Sequence, residues 1–143
     1  MILYLDTSAL VRLYVEERGT ATMTAAVERA SSVATARVTY TEARATFARL
    51  ERAGAITRPE RRRLARNLDD DWSAMTIVDI SERLVHRAGD LAERHALRGY
   101  DAVQLAAALT IKAEGGEIEF SSFDLRLSQA AQRERLTTTT AAR

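Results

Sequence analysis

The chain has 143 residues, 21 basic and 20 acidic side chains, a net charge of +1 and no cysteine. That balance provides no global field pointing to a nucleic-acid partner, and the missing cysteine excludes a disulfide framework and any thiolate metal site. A chain this long buries roughly 70% of its unfolded surface as one domain, so residues 1–143 are expected to form a single domain.

The first residues, MILYLDTSAL, lack the basic start and long apolar core of a signal peptide. No apolar stretch approaches the ~20 residues that cross a bilayer. The expectation is a cytoplasmic chain with no membrane partner.

In chain order, Ile2 to Leu5 reads as a short buried strand ending at Asp6. Thr7 and Ser8 supply helix-start chemistry for ALVRLYVEE, which Gly19 breaks. TATMTAAVERA reads as a second, short helix and SSVATARV as a second strand. Thr39 or Thr41 then caps a long helix, TEARATFARLERAG, which Gly54 ends. Pro59 suits a first helical position in RPERRRLARNLDDDW. AMTIVDI is a third strand, and Ser81 opens the helix SERLVHRAGDLAERHAL.

RGYDAVQLAAALTI follows, with only Gln104 and Thr110 interrupting its apolar run after Asp101. A helix apolar nearly all round is normally buried. Gly115 and Gly116 end it. EIEFSS is a fourth strand and DLRLSQAAQRERL a last helix, with residues 137–143 as a short edge strand or frayed tail. Strands alternating with helices argue for an α/β fold on a parallel sheet.

Four acids fall at related places in this pattern. Asp6 closes the first strand, Glu42 lies in the first turn of the helix after the second, Asp101 opens the apolar helix, and Asp124 follows the fourth strand. Parallel sheets place functional groups at the carboxyl ends of their strands. Strand order is not fixed by sequence, so convergence of the four is an expectation.

Two carboxylates ~5 Å apart repel by about 3 kcal/mol at an effective dielectric of 20. Four together therefore require protonation, a basic neighbour or a divalent cation. An all-oxygen set suits a hard ion, Mg²⁺ or Mn²⁺, and such ions serve phosphodiester hydrolysis. Each acid also has a plainer reading. Asp6, Asp101 and Asp124 suit helix caps, and Glu42 suits a helix dipole.

Other features are ordinary. Arg58, Arg61, Arg62, Arg63 and Arg66 form a basic run that either tracks an RNA backbone or is a solvated helix face, which is the commoner case. Asp69, Asp70 and Asp71 point in different directions on a helix and read as surface, with Trp72 inward. His86 and His95 do not share a face at metal-ligand spacing. Leu10, Leu13, Tyr14 and Met23 read as core, or in part as a groove for a partner.

LDTSAL, the glutamate in TYTEARATF, YDAVQLAAAL and FSSFDLRLSQAA stand in the order and at the separations of PIN domains, and the chain most resembles the VapC-like toxin ribonucleases over Ile2 to about Leu136. The resemblance implies a three-layer α/β/α sandwich with a mainly parallel sheet. It places the acidic constellation on Asp6, Glu42, Asp101 and Asp124, with Thr7 and Ser122 in support. Asp6 and Asp101 would be the metal ligands, Asp124 would act through water or a second ion, and Glu42 would orient or deprotonate the attacking water. The implied activity is a Mg²⁺- or Mn²⁺-dependent endoribonuclease, held inactive by a cognate antitoxin and working as a homodimer. Which residues bind RNA is not implied.

Two other enzyme classes fit poorly. A receiver-type phosphoacceptor needs an acid pair after the first strand and a lysine after the last, whereas Lys112 lies within a helix. A dehalogenase-like phosphatase needs an acid at Ser8. The remaining rival is a non-catalytic module whose acids only receive a metal or a partner's arginine.

Overall fold

The computed structural model describes residues 1–139. In chain order it contains β1 (Ile2–Leu5), α1 (Thr7–Val11), α2 (Thr20–Arg29), β2 (Ser32–Ala36), α3 (Val38–Arg52), α4 (Arg58–Trp72), β3 (Thr76–Val78), α5 (Glu82–His95), α6 (Gly99–Ala113), β4 (Ile118–Ser121), α7 (Leu125–Arg133) and β5 (Thr137–Thr138). The five strands form one sheet in the order β3-β2-β1-β4-β5, and every pairing is parallel. The first strand is thus central. The chain winds outward from β1 through β2 to β3, then returns to its other side at β4, which makes the carboxyl end of β1 a switch point where open α/β sheets form a crevice.

The period-two alternation of β1 divides the core. Leu3 and Leu5 face a cluster with Leu10, Met23, Phe47 and Leu68 from α1 to α4. Tyr4 faces the opposite way, into a cluster filled by α5, α6 and α7. Its ring stacks on Phe120, its register partner on β4, at 5.5 Å between centroids. The architecture is the expected α/β/α sandwich.

Helix α6 packs against α5, α7 and strands β2 and β4, and eight of its residues are buried. Contact on several sides accounts for its apolar sequence, since each fully buried leucine contributes roughly 1.5–3 kcal/mol.

Three local expectations are corrected. The first helix stops at Val11 instead of running through VEE. Leu13 and Tyr14 donate backbone bonds only three residues back, at 3.0 Å each, and Arg12 folds over to the carbonyls of Ser8 and Arg18. Helix α3 starts at Val38, so neither Thr39 nor Thr41 caps it. Strand β2 feeds straight into it, with Arg37 donating its N–H to Val78 O at 2.9 Å. Glu42 consequently stands beyond the first turn, which is without acids, and the helix-dipole reading of Glu42 lapses. Asp101 lies inside the first turn of α6, behind Arg98 at the cap position, and is not itself a cap.

Elsewhere Ser81 accepts from Leu84 N–H as the α5 cap, and Pro59 is the second residue of α4. β5 is the edge strand anticipated in the threonine run. The expectation for residues 140–143 lies outside the described residues.

Candidate active site

The carboxyl ends of β1 and β4 lie side by side, and Asp6 N–H donates to Ser121 O at 3.2 Å. Asp6 is only 4% exposed. Its Oδ1 accepts from Ser8 Oγ at 2.7 Å and from Ala9 N–H at 2.9 Å, the latter being a helix cap. Its Oδ2 accepts from Ser122 Oγ at 2.6 Å. Burial pushes the Asp6 carboxyl up from 3.8 to about 6, and the charge of Asp101 adds to the push, against the hydrogen bonds from Ser122, Ser8 and Ala9. A buried acid is therefore kept near neutral pH as a titratable group.

Ser122 ties two acids together, because the hydroxyl that donates to Asp6 also accepts Asp124 N–H at 3.0 Å. Asp124 Oδ1 accepts from Leu127 N–H at 2.9 Å and caps α7. The adjoining Phe123 is fixed from two sides. Its N–H donates to Ser8 Oγ at 2.9 Å, and the Arg12 guanidinium lies 3.8 Å over its ring. Gly19, at φ 99°, leaves that ring the room a Cβ would occupy. Capping and a place on one shared cleft coexist in Asp6 and Asp124.

Glu42 is held by a largely buried polar chain of which sequence reasoning named only Thr7. Thr7 Oγ1 donates to its Oε1 at 2.7 Å, and Gln104 Nε2 reaches the same oxygen at 3.3 Å. Gln104 also donates to Thr39 Oγ1 at 3.0 Å, and its Oε1 accepts from Tyr4 OH at 2.6 Å. Thr39 Oγ1 lies 2.8 Å from Thr35 Oγ1, which donates to Leu5 O at 2.6 Å. Burial first, then the charges of Asp6 and Glu42, hold the Tyr4 phenol well above its ordinary pKa, so it remains a donor. Among the described residues no buried side-chain polar atom lacks a partner. The available signal was Gln104 itself, a polar residue three places after Asp101 in an apolar helix.

Asp101 is raised by burial and by the charges of Asp124 and Glu42, while Arg98 lowers it. Arg98 spans both aspartates, with Nε 3.6 Å from Asp101 Oδ2 and Nη2 3.6 Å from Asp124 Oδ2.

All four acids line one cleft of about 480 Å³, together with Thr7, Ser8 and Gln104. Its wall carries five carboxylates and three guanidiniums, from Arg12, Arg49 and Arg98. Among the described residues no three acids or histidines already converge as a metal cage. The donor chemistry still fits a hard cation that keeps most of its hydration shell. The donors are oxygens only, and Asp6 Oδ2 retains a lone pair beyond its bond to Ser122.

The other charged groups lie away from this cleft. None of the five arginines of the Arg58–Arg66 run lines it, and Arg61 pairs with Glu51 at 2.6 Å. Asp69 and Asp71 accept from Tyr40 OH and Tyr14 OH, and Trp72 packs on Tyr40. His95 pairs with Glu134 at 2.8 Å and His86 faces Glu82 at 3.6 Å. Leu10 and Met23 are buried, with Leu13 and Tyr14 packed against the same cluster.

Three comparisons bear on this arrangement. The profile of the PIN domain family matches residues 3–133. Ribonuclease VapC45 of Mycobacterium tuberculosis strain CDC 1551 / Oshkosh is 34% identical over 130 residues, covering 91% of this chain and 89% of its own. Among solved structures, the Mycobacterium tuberculosis VapC20, a sarcin–ricin loop cleaving toxin, superposes with a TM-score of 0.65 at 18% identity, over 90% of this chain and 94% of that one. A toxin–antitoxin complex from Klebsiella pneumoniae gives 0.62 at 19% identity, over 85% and 86%. At those identities the two structures attest the fold.

Proposed function

Because this chain belongs to the PIN-domain family, we propose that it is a metal-dependent endoribonuclease and the toxin of a toxin–antitoxin pair. The observation that carries the reading is the meeting of Asp6, Glu42, Asp101 and Asp124 on one cleft at the carboxyl ends of β1 and β4. The ribonuclease name of the 34% identical relative supports the activity, and the toxin–antitoxin neighbour supports a protein antitoxin as partner. Among the described residues no helix is long and apolar enough to cross a membrane. From family membership, not from that absence, we propose a cytoplasmic chain that pairs as a homodimer.

In this reading Asp6 and Asp101 would hold Mg²⁺ or Mn²⁺, and Asp124 would contribute through water. When bound, the ion makes water easier to deprotonate and offsets charge growing on the phosphate and the leaving oxygen. Glu42 would orient the attacking water or accept its proton. Thr7 and Gln104 both donate to Oε1 of Glu42, which orients the carboxylate and leaves Oε2 without a side-chain hydrogen bond among the described residues. Ser8 and Ser122 fix the plane of the Asp6 carboxylate. Such supporting bonds commonly change activity 10–100-fold when removed.

Pure protein incubated with structured and single-stranded RNA tests the reading. Cleavage is expected with Mg²⁺ or Mn²⁺ and none with a chelator. Cutting that persists unchanged in chelator refutes metal dependence, and absence of cutting across a pool of loop-containing RNAs refutes the nuclease reading.

Gln104 is assigned as a positioning residue. Gln104→Leu keeps the side chain's size but strips Glu42 of one donor and Tyr4 of its acceptor. Its kcat should fall about 10–100-fold with KM and Mn²⁺ affinity close to wild type. An equal loss in Mn²⁺ affinity would instead mean that the substitution disturbs the acids generally.

A further inference from the structure

Three arginines line the cleft, and they differ in what holds them. Arg12 is anchored: Nε donates to Arg18 O at 2.9 Å, Nη1 to Ser8 O at 2.7 Å, and the guanidinium covers the Phe123 ring. Arg49 has no ion pair among the described residues. Arg98 alone touches the acids assigned above to metal and catalysis.

Its contacts have an unusual character. The backbone of Arg98 is fixed, since it is the cap residue of α6 and its carbonyl accepts Ala102 N–H at 3.0 Å. Its side chain makes no cap bond. It is 85% exposed and approaches Asp101 and Asp124 at 3.6 Å each, beyond hydrogen-bond length. Charge alone holds it there. Asp101 and Asp124 come from different elements and repel each other, and a cation between them relieves that repulsion. An exposed pair of this kind is weak and its rotamer changes quickly, so the guanidinium is easily exchanged.

We propose that Arg98 is a resident counter-cation, which occupies the gap between Asp101 and Asp124 until a divalent ion displaces it. The inference rests on the metal-dependent reading of the cleft and adds an internal competitor for the ion. Because its backbone is held at the start of α6, the displaced side chain stays at the rim of the cleft.

Mn²⁺ titration by calorimetry, without RNA, tests the exchange on wild type, Arg98→Gln and Arg49→Gln. Arg49→Gln removes an equal charge from the same wall without any contact to the acids, so it measures the general field. Arg98→Gln is expected to bind Mn²⁺ about fivefold more tightly than wild type, the scale of one exposed ion pair, and Arg49→Gln less than about twofold. Equal tightening in both variants, or none in Arg98→Gln, overturns the displacement while leaving the metal-dependent reading intact. A wild-type protein that binds no Mn²⁺ overturns both.

Discussion

Asp101→Asn is expected to abolish metal-dependent RNA cleavage, by about three orders of magnitude or more, in a protein that folds as well as wild type. Asp101 is not a helix cap, and among the described residues its one ion pair is the 3.6 Å approach of Arg98. Its charge is disfavoured by burial and by Asp124 and Glu42. Fold stability gains nothing from this carboxylate, and removing the charge relieves repulsion. Gel-resolved cleavage of RNA in Mn²⁺, read beside a circular-dichroism melt, separates the two effects. A variant that still cuts would falsify the assignment of Asp101, and a variant that fails to fold would contradict the structural account of its environment.

Asp6 gives the second large effect, on stability against pH. Its carboxyl is near 3.8 in the unfolded chain and about 6 in the folded one. The folded state therefore holds the proton more tightly. The destabilisation is absent below pH 3.8, grows between 3.8 and about 6, and is fully present above that. A shift of this size corresponds to about 3 kcal/mol.

Asp6→Asn keeps an oxygen for the Ala9 cap and removes the charge. In metal-free buffer its stability should exceed wild type by about 1–3 kcal/mol at pH 8, with the gap closing toward pH 4. Urea melts at several pH values measure it. A gap that is flat with pH would show that Asp6 is not perturbed. Under the proposed function, Mn²⁺ should then raise the stability of wild type and leave Asp6→Asn nearly unchanged, because binding to the folded state alone stabilises it.

These two acids were also the most legible parts of the sequence. Asp6 ends a strand whose alternation is plain, and Asp101 stands at the start of a helix whose apolar run declares its burial. The strand order was not legible, since parallel pairing joins residues far apart, as in Tyr4 beside Phe120. The start of α3 was misplaced because a threonine near a helix start usually caps it. Here Thr39 is turned inward to Gln104 and Thr35, and β2 enters the helix without a cap.

Gln104 was visible as an interruption in α6, but its role depends on Tyr4, Thr39 and Glu42, which lie 100, 65 and 62 residues away in the chain. The role of Arg98 is illegible in the sequence for a related reason. The basic run on α4 stands out by charge density, whereas the arginine that meets the acids is a single residue at the cap position of α6.

The central position of β1 also governs when during synthesis the site comes into being. Asp6 is synthesised well before the serine that orients it, which lies 116 residues later, and Asp124 follows that serine. Emerging chain can build β1 with β2 and β3 while β4 is still untranslated. Under the proposed activity, a nascent polypeptide lying beside ribosomal RNA thus carries Asp6, Glu42 and Asp101 without Ser122 and Asp124. Synthesis of β4 and of the Ser122–Asp124 corner behind it arms the site.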